Sequence, residues 1–189
     1  KAVDVVKAWR KAHPNIAKFW YACQDAFINA IKGYSTKVNG VTFGKRGRDV
    51  VIGLPSGRYL VYPRAVVEQE EVRDEAGNVI LDEEERVILE DCIKYFFGNR
   101  FVKTYGGKIV ENIIQAIGRD ILACALVALI EGGYTVPLHV HDETVVEILK
   151  GNAHIVQEIE RIILSARPKW AVGMPIAVKS CKADNYRKG

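Results

Sequence analysis

The stretch from Gly106 to Ile130 constrains this chain more than any other. After Gly106-Gly107 it runs from Lys108 to Asp120 with polar and apolar residues interleaved, then stays almost wholly apolar through Ile130. Lys108, Asn112, Gln115 and Arg119 are spaced by four, three and four, so on one helix they share a face. The half from Ile121 to Ile130 has no polar side and is expected to be buried all round. A polar stripe on an otherwise buried helix needs a partner. Water with local hydrogen bonds is one reading. The other is a nucleic acid, with the Asn112 and Gln115 amides reaching minor-groove edges and sugars while Lys108 and Arg119 meet phosphates.

Gly132-Gly133 ends that helix, and Leu138-His139-Val140-His141-Asp142-Glu143-Thr144-Val145-Val146-Glu147-Ile148 follows. Alternation before the two acids and β-formers after them predict strand, tight turn, strand, with the carboxylates at the tip. Adjacent acids repel and are costly to desolvate, so the pair needs a cation, an arginine or open water. A divalent metal is the functional reading and a solvated tip the plain one. The polar-faced helix and the acidic hairpin are consecutive and are expected to pack together.

The remainder reads as scaffold. Residues 2–12 carry Val3, Val6 and Trp9 at helical spacing before the His13-Pro14 break. A second helix is predicted to about Ile31, with Ile16, Phe19, Trp20, Cys23 and Phe27 on its apolar side and Gly33 as its stop. Three short strands follow around 41–43, 50–52 and 59–62, with Lys45, Arg46 and Arg48 clustered between glycines and Arg58 opening the third. The run around Gly77-Asn78 reads as a β-hairpin, and 92–97 and 100–103 as further strands. The end is predicted as a helix from about Asn152 to Ser165, with Asn152 as N-cap, and a strand over 175–179. No internal repeat is evident.

Charge is unevenly distributed. Residues 68–91 hold eleven acids and two basic residues, so against a net charge of +4 the rest of the chain carries +13. A basic body with one acidic excursion suits a polyanionic partner bound away from that excursion. At 189 residues and 49% hydrophobic the chain can bury a sizeable core. No uninterrupted apolar run reaches the roughly 18 residues of a membrane span, so no membrane partner is expected. The four cysteines, Cys23, Cys92, Cys124 and Cys181, are far apart and are read as reduced thiols of a cytoplasmic protein. Beginning at Lys1, without Met and within a helix, the chain reads as a fragment.

Four features together resemble the C-terminal part of family A DNA polymerases, those like bacterial DNA polymerase I, and most closely their phage branch. They are Leu54-Pro55-Ser56-Gly57-Arg58-Tyr59-Leu60-Val61-Tyr62, the run from Thr104-Tyr105-Gly106-Gly107-Lys108 into Glu111-Asn112-Ile113-Ile114-Gln115-Ala116, the strand ending in His139-Val140-His141-Asp142-Glu143, and the closing helix and strand. The resemblance implies an α+β fold: an incomplete palm whose antiparallel sheet has the hairpin at its centre, packed on helices. Residues 1–103 would be a helical fingers remnant with an acidic β-hairpin insert near 68–91, and 104–189 the palm. It also implies template-directed nucleotidyl transfer to a primer 3′-hydroxyl, with Asp142 a ligand of catalytic Mg²⁺, Glu143 a nearby acid and His141 beside the primer terminus. Asn112 and Gln115 would track the minor groove, and Lys108, Arg119 and Arg58 would hold phosphates or sugars. The partners implied are primer–template DNA and deoxynucleoside triphosphates.

The chain departs from the family in lacking the upstream strand aspartate and the fingers helix whose lysine, arginine and tyrosine hold the nucleotide. Thr144 also stands where an aliphatic residue is more usual. The isolated chain is therefore expected to be inactive, and an exposed sheet edge to favour self-association. Two other classes stay open. One is a zinc hydrolase using His139 and His141 on a shared strand face, with His13 or His154 as a third ligand. The other is a non-catalytic basic DNA-binding module.

Overall fold

The computed structural model describes residues 2–74, 76–151 and 154–186, with the side chains of Ala2 and Val3 left aside. Antiparallel sheets and four helices make the fold α+β. The chain divides into two compact units, Lys1–Ile114 and Gln115–Gly189, and the division falls within a helix.

In the first unit, α1 (Ala2–Ala12) ends before Pro14, which occupies the first turn of α2 (Pro14–Ile31). The missing proline N–H is harmless there. Gly33 takes φ +96° and its N–H closes on the Ala30 carbonyl, the predicted stop. A four-stranded antiparallel sheet follows, formed by β1 (Thr36–Val38), β2 (Val41–Arg46), β3 (Asp49–Gly53) and β4 (Tyr59–Tyr62) in that order. The strand β1 was too short and polar to be read from the sequence. The core lies between α2 and one face of this sheet. Cys23, Ala26, Phe27 and Ala30 are buried on the helix, and Phe43, Val50, Ile52 and Tyr62 on the strands. Phe27 meets Tyr62 edge-on, with ring centroids 5.0 Å apart.

A three-stranded sheet comprises β5 (Val66–Glu71), β6 (Leu89–Phe97) and β7 (Arg100–Thr104). The predicted acidic hairpin forms around Gly77 through the Arg73–Val79 bridge, but it is half of a larger device. A second bridge joins Leu81 and Val87. Val72 donates to Ile88 (2.9 Å), Ile88 to Ile80 (3.1 Å) and Ile80 to Val72 (2.8 Å), closing a ring of three backbone bonds. These residues lie eight apart and open the runs Val72-Arg73-Asp74-Glu75, Ile80-Leu81-Asp82-Glu83 and Ile88-Leu89-Glu90-Asp91. An internal repeat is therefore present, contrary to the sequence reading. Its period is too short and its loops too dissimilar to stand out by inspection. In each loop an aspartate caps the turn: Asp74 Oδ1 accepts from Ala76 and Asn78 N–H, Asp82 Oδ1 from Glu84 and Arg86 N–H.

The helix α3 (Gly106–Glu131) begins in this unit, where Gly106 N–H donates to Gln24 Oε1 at 2.9 Å. A Cβ at Gly106 would collide with the Trp20 carbonyl, so only glycine allows this approach.

In the second unit, α3 leads to the hairpin of β8 (Thr135–Val140) and β9 (Glu143–Glu147), then to α4 (His154–Ser165) and a 3₁₀ turn at Lys169–Ala171. Four expectations need correction here. The hairpin is not the centre of a larger sheet: β8 and β9 pair only with each other among the described residues. The strand over 175–179 does not form, since no strand among the described residues pairs with this segment. The apolar half of α3 is not buried all round, since Val127 and Ile130 are more than half exposed and only Ala125 and Leu129 are buried there. With a lone hairpin and one amphipathic helix, this unit has too little apolar surface to enclose it. Lastly, α3 is long and apolar enough to cross a membrane by length and composition. Arg119 and Asp120 interrupt its apolar run without taking the helix below that threshold. Core helices of soluble domains meet the same criterion. The expected cap Asn152 lies outside the described residues.

Candidate nucleic-acid and metal site

The hairpin has a two-residue turn. Val140 pairs with Glu143, His139 with Thr144 and Leu138 with Val145. The register is irregular between Thr135 and Leu138, where Pro137 has no N–H to donate. The tip is therefore His141 and Asp142, both exposed, while Glu143 is the partly covered first residue of β9. Only one of the two acids stands at the turn itself. His141 holds φ +53°, the left-handed region that few residues other than glycine adopt and in which histidine, like asparagine and aspartate, is over-represented. Because His141 leaves the strand at the turn, it does not share a strand face with His139.

Tyr186 and Arg119 make polar contacts with the hairpin's side chains. The Tyr186 hydroxyl donates to Glu143 Oε2 at 3.4 Å, and the phenol pKa is raised by burial and by that carboxylate. Two guanidinium nitrogens of Arg119 lie 3.2 and 3.3 Å from Nδ1 and Nε2 of His139. A neutral imidazole offers one lone pair, so only one of these is a full hydrogen bond. The Thr144 hydroxyl, which pattern alone made unremarkable, is buried without a hydrogen-bond partner among the described residues. Gln115 is exposed.

In the first unit, Asn112 Nδ2 donates to the Tyr62 hydroxyl at 2.9 Å, which fixes the amide's orientation against the core. Burial raises the Tyr62 pKa, and the Asn112 bond partly offsets it. Lys108 pairs with Glu111 at 3.0 Å one helical turn away, an exposed pair that raises its pKa. Arg58 follows a tight turn closed by Gly57 N–H to the Leu54 carbonyl at 2.9 Å and is exposed.

Among the described residues no three His, Cys, Asp or Glu side chains come together. His139 faces a permanent cation on both ring nitrogens, and His141 lies off the strand, so nothing in this geometry favours the zinc hydrolase. Tyr62 and Tyr186 are polar partners that sequence reasoning missed. One looked like a core aromatic, and the other lies far along the chain from Glu143.

The chain is 36% identical over 192 aligned residues to a DNA polymerase of Bacillus phage SP02, a match covering 98% of this chain and 27% of that protein. The chain thus spans about a quarter of the length of the curated relative it matches. No protein-family model matches it, and no solved structure does.

Proposed function

We propose that this chain is a segment of a DNA-directed DNA polymerase of the DNA polymerase I-like family A, in its phage branch. Likeness to a phage DNA polymerase along 98% of the chain carries this, since it takes in both the polar-faced helix and the His141-Asp142-Glu143 hairpin. Residues 1–103 are then the end of the fingers with the acidic insert, and 104–189 belong to the palm. The substrates are primer–template DNA and deoxynucleoside triphosphates, in the cytoplasm of a bacterial or phage-infected cell.

Asp142 and Glu143 are hard oxygen donors of the kind Mg²⁺ takes, adjacent in the chain, with Asp142 exposed at the turn, Glu143 partly covered at the start of β9, and no third carboxylate beside them among the described residues. They fit part of a donor set, with Asp142 as the ligand. When bound, the ions of a two-metal site lower the pKa of the primer hydroxyl and steady the triphosphate and leaving pyrophosphate. The residues of this chain position the substrates. Tyr186 holds the Glu143 carboxylate in place, and His141 borders the primer terminus. Asn112, oriented by Tyr62, and Gln115 contact the minor groove, where correct pairs present shared acceptors. Lys108, Arg58 and Arg119 hold phosphates or sugars. The Arg119 guanidinium keeps N–H groups beyond the two that face His139.

Binding to a primer–template duplex and to Mn²⁺ tests this. Gln115→Ala and Lys108→Ala are expected to weaken duplex binding several-fold. Paramagnetic Mn²⁺ is expected to broaden resonances of residues 141–143 in the parent and not in Asp142→Asn. A chain that neither binds the duplex nor takes up Mn²⁺ at that turn overturns the assignment. Because the upstream aspartate and nucleotide-binding helix are not among these residues, the chain alone is expected to be inactive. Nucleotide incorporation by the purified chain would refute that narrower statement.

A further inference from the structure

The outer face of the β1–β4 sheet is unused by the polymerase chemistry above, and two of its positions, Gly44 and Gly53, carry no side chain. One register row across it is Lys37, Thr42, Gly53 and Tyr59, and the next is Gly44, Val51 and Val61. These positions alternate with Phe43 and Ile52, which are buried on the opposite face. A groove of about 430 Å³ runs over this floor, and none of the residues lining it is a carboxylate.

The groove's rim is aromatic and cationic. Tyr34 is 66% exposed and Tyr59 is 47% exposed. The Arg46 guanidinium lies 4.1 Å from the centroid of the Tyr59 ring, and Lys37 and Arg48 are exposed nearby in sequence. Lys45 is tied to the Ile31 carbonyl at 2.9 Å, so its charge stays close to the end of α2. The glycines keep the surface low. A Cβ on Gly53 would press on the Tyr59 ring at 3.4 Å, whereas one on Gly44 would meet only Ser35 Oγ at 3.9 Å.

A low floor, two exposed tyrosine rings, one of them carrying Arg46 on a face, and cations without a carboxylate among the lining residues match the requirements of a stacked base and its flanking phosphates. Paired bases present edges and not faces, so a base can stack on these rings only where the strand is unpaired. We propose that this groove binds single-stranded DNA, with unpaired bases stacked on Tyr59 and Tyr34 and the backbone held by Arg46 and Lys37. The polymerase assignment is needed only for choosing DNA over other stacking polyanions.

Fluorescence anisotropy of the full chain with a short oligothymidylate, and with an abasic strand of equal length, tests it. The parent is expected to bind oligothymidylate more tightly than the abasic strand. Tyr34→Ala/Tyr59→Ala is expected to lose about tenfold on the thymidylate strand, the scale of one to two stacked bases, with little change on the abasic one. Arg46→Ala should weaken both, and Tyr59→Phe should retain binding. Gly44→Val, which fills the floor at a site with room for a Cβ, should weaken thymidylate binding with unchanged thermal unfolding. Equal parent affinity for the two strands, or a double variant that binds oligothymidylate like the parent, overturns the proposal. Duplex binding by Gln115→Ala is read separately, so a failure of the groove and a failure of the polymerase assignment give different patterns.

Discussion

At the scale of single residues, the two most informative positions are a hydroxyl without a partner and a glycine without room. Thr144 lies opposite His139 with its hydroxyl buried and unpaired, and an unmade buried hydrogen bond costs about 1–3 kcal/mol. Thr144→Val is isosteric and removes the polar atom, so it is expected to stabilise the chain by about 1 kcal/mol, read as a raised denaturant midpoint at unchanged slope. Gly106 is the opposite case. Its missing side chain lets α3 start against the Trp20 carbonyl and lets its N–H reach Gln24. Gly106→Ala must push backbone away from backbone and is expected to destabilise by about 2 kcal/mol or more, measured by the same unfolding experiment. Asn112 shows what was legible locally and what was not. Its helical spacing from Lys108 places it on a polar face from sequence alone, whereas its bond to Tyr62, fifty residues earlier, follows only from the packing of strand on helix.

At the scale of elements, part of the acidic excursion is neutralised by lysines of the sheet that carries it. Glu70 accepts from Lys103 and Lys94, and Lys94 also pairs with Glu68 at 2.6 Å. The hydrogen bond from Lys103, then that from Lys94, pulls the Glu70 pKa down from 4.5 to about 2. A carboxylate whose folded pKa is depressed stabilises the fold above its unfolded pKa, and that contribution disappears as pH falls through the folded value. The pairing of β5, β6 and β7 is therefore expected to weaken between about pH 4.5 and pH 2. The Glu70 side-chain carbon shift, followed by NMR, should titrate well below a free glutamate, and Lys94→Met should move that titration upward. An unshifted Glu70 would contradict the pairing. Helices and most strands of this chain were readable because their periods are local. The repeat of the runs opening at Val72, Ile80 and Ile88 was not, because these runs are related by backbone bonds around a ring and not by similar loops.

At the scale of the whole molecule, the separation of charge is the property most open to test. Residues 68–91 carry an excess of nine acids, and the rest of the chain is correspondingly basic. Glu83, Glu84 and Glu85 are exposed within that excursion. Replacing all three by glutamine is expected to raise duplex affinity at low ionic strength and to leave it unchanged at high salt, since the effect is long-range and screened. An increase that persists at high salt would mean the excursion contacts DNA directly. The sequence by itself determined the four helices, most of the strands between them, the turn that presents Asp142, the basic body and the acidic excursion over 68–91, because periodicity, turn chemistry and charge are properties of neighbouring residues. Only the tertiary structure decided that, among the described residues, the hairpin pairs with itself alone, that Arg119 faces His139, that one side of the apolar half of α3 stays uncovered, and that Gly40, Gly44, Gly53 and Gly57 line one groove. Each of these depends on which distant surfaces bury against one another, and the same local pattern is compatible with several such arrangements.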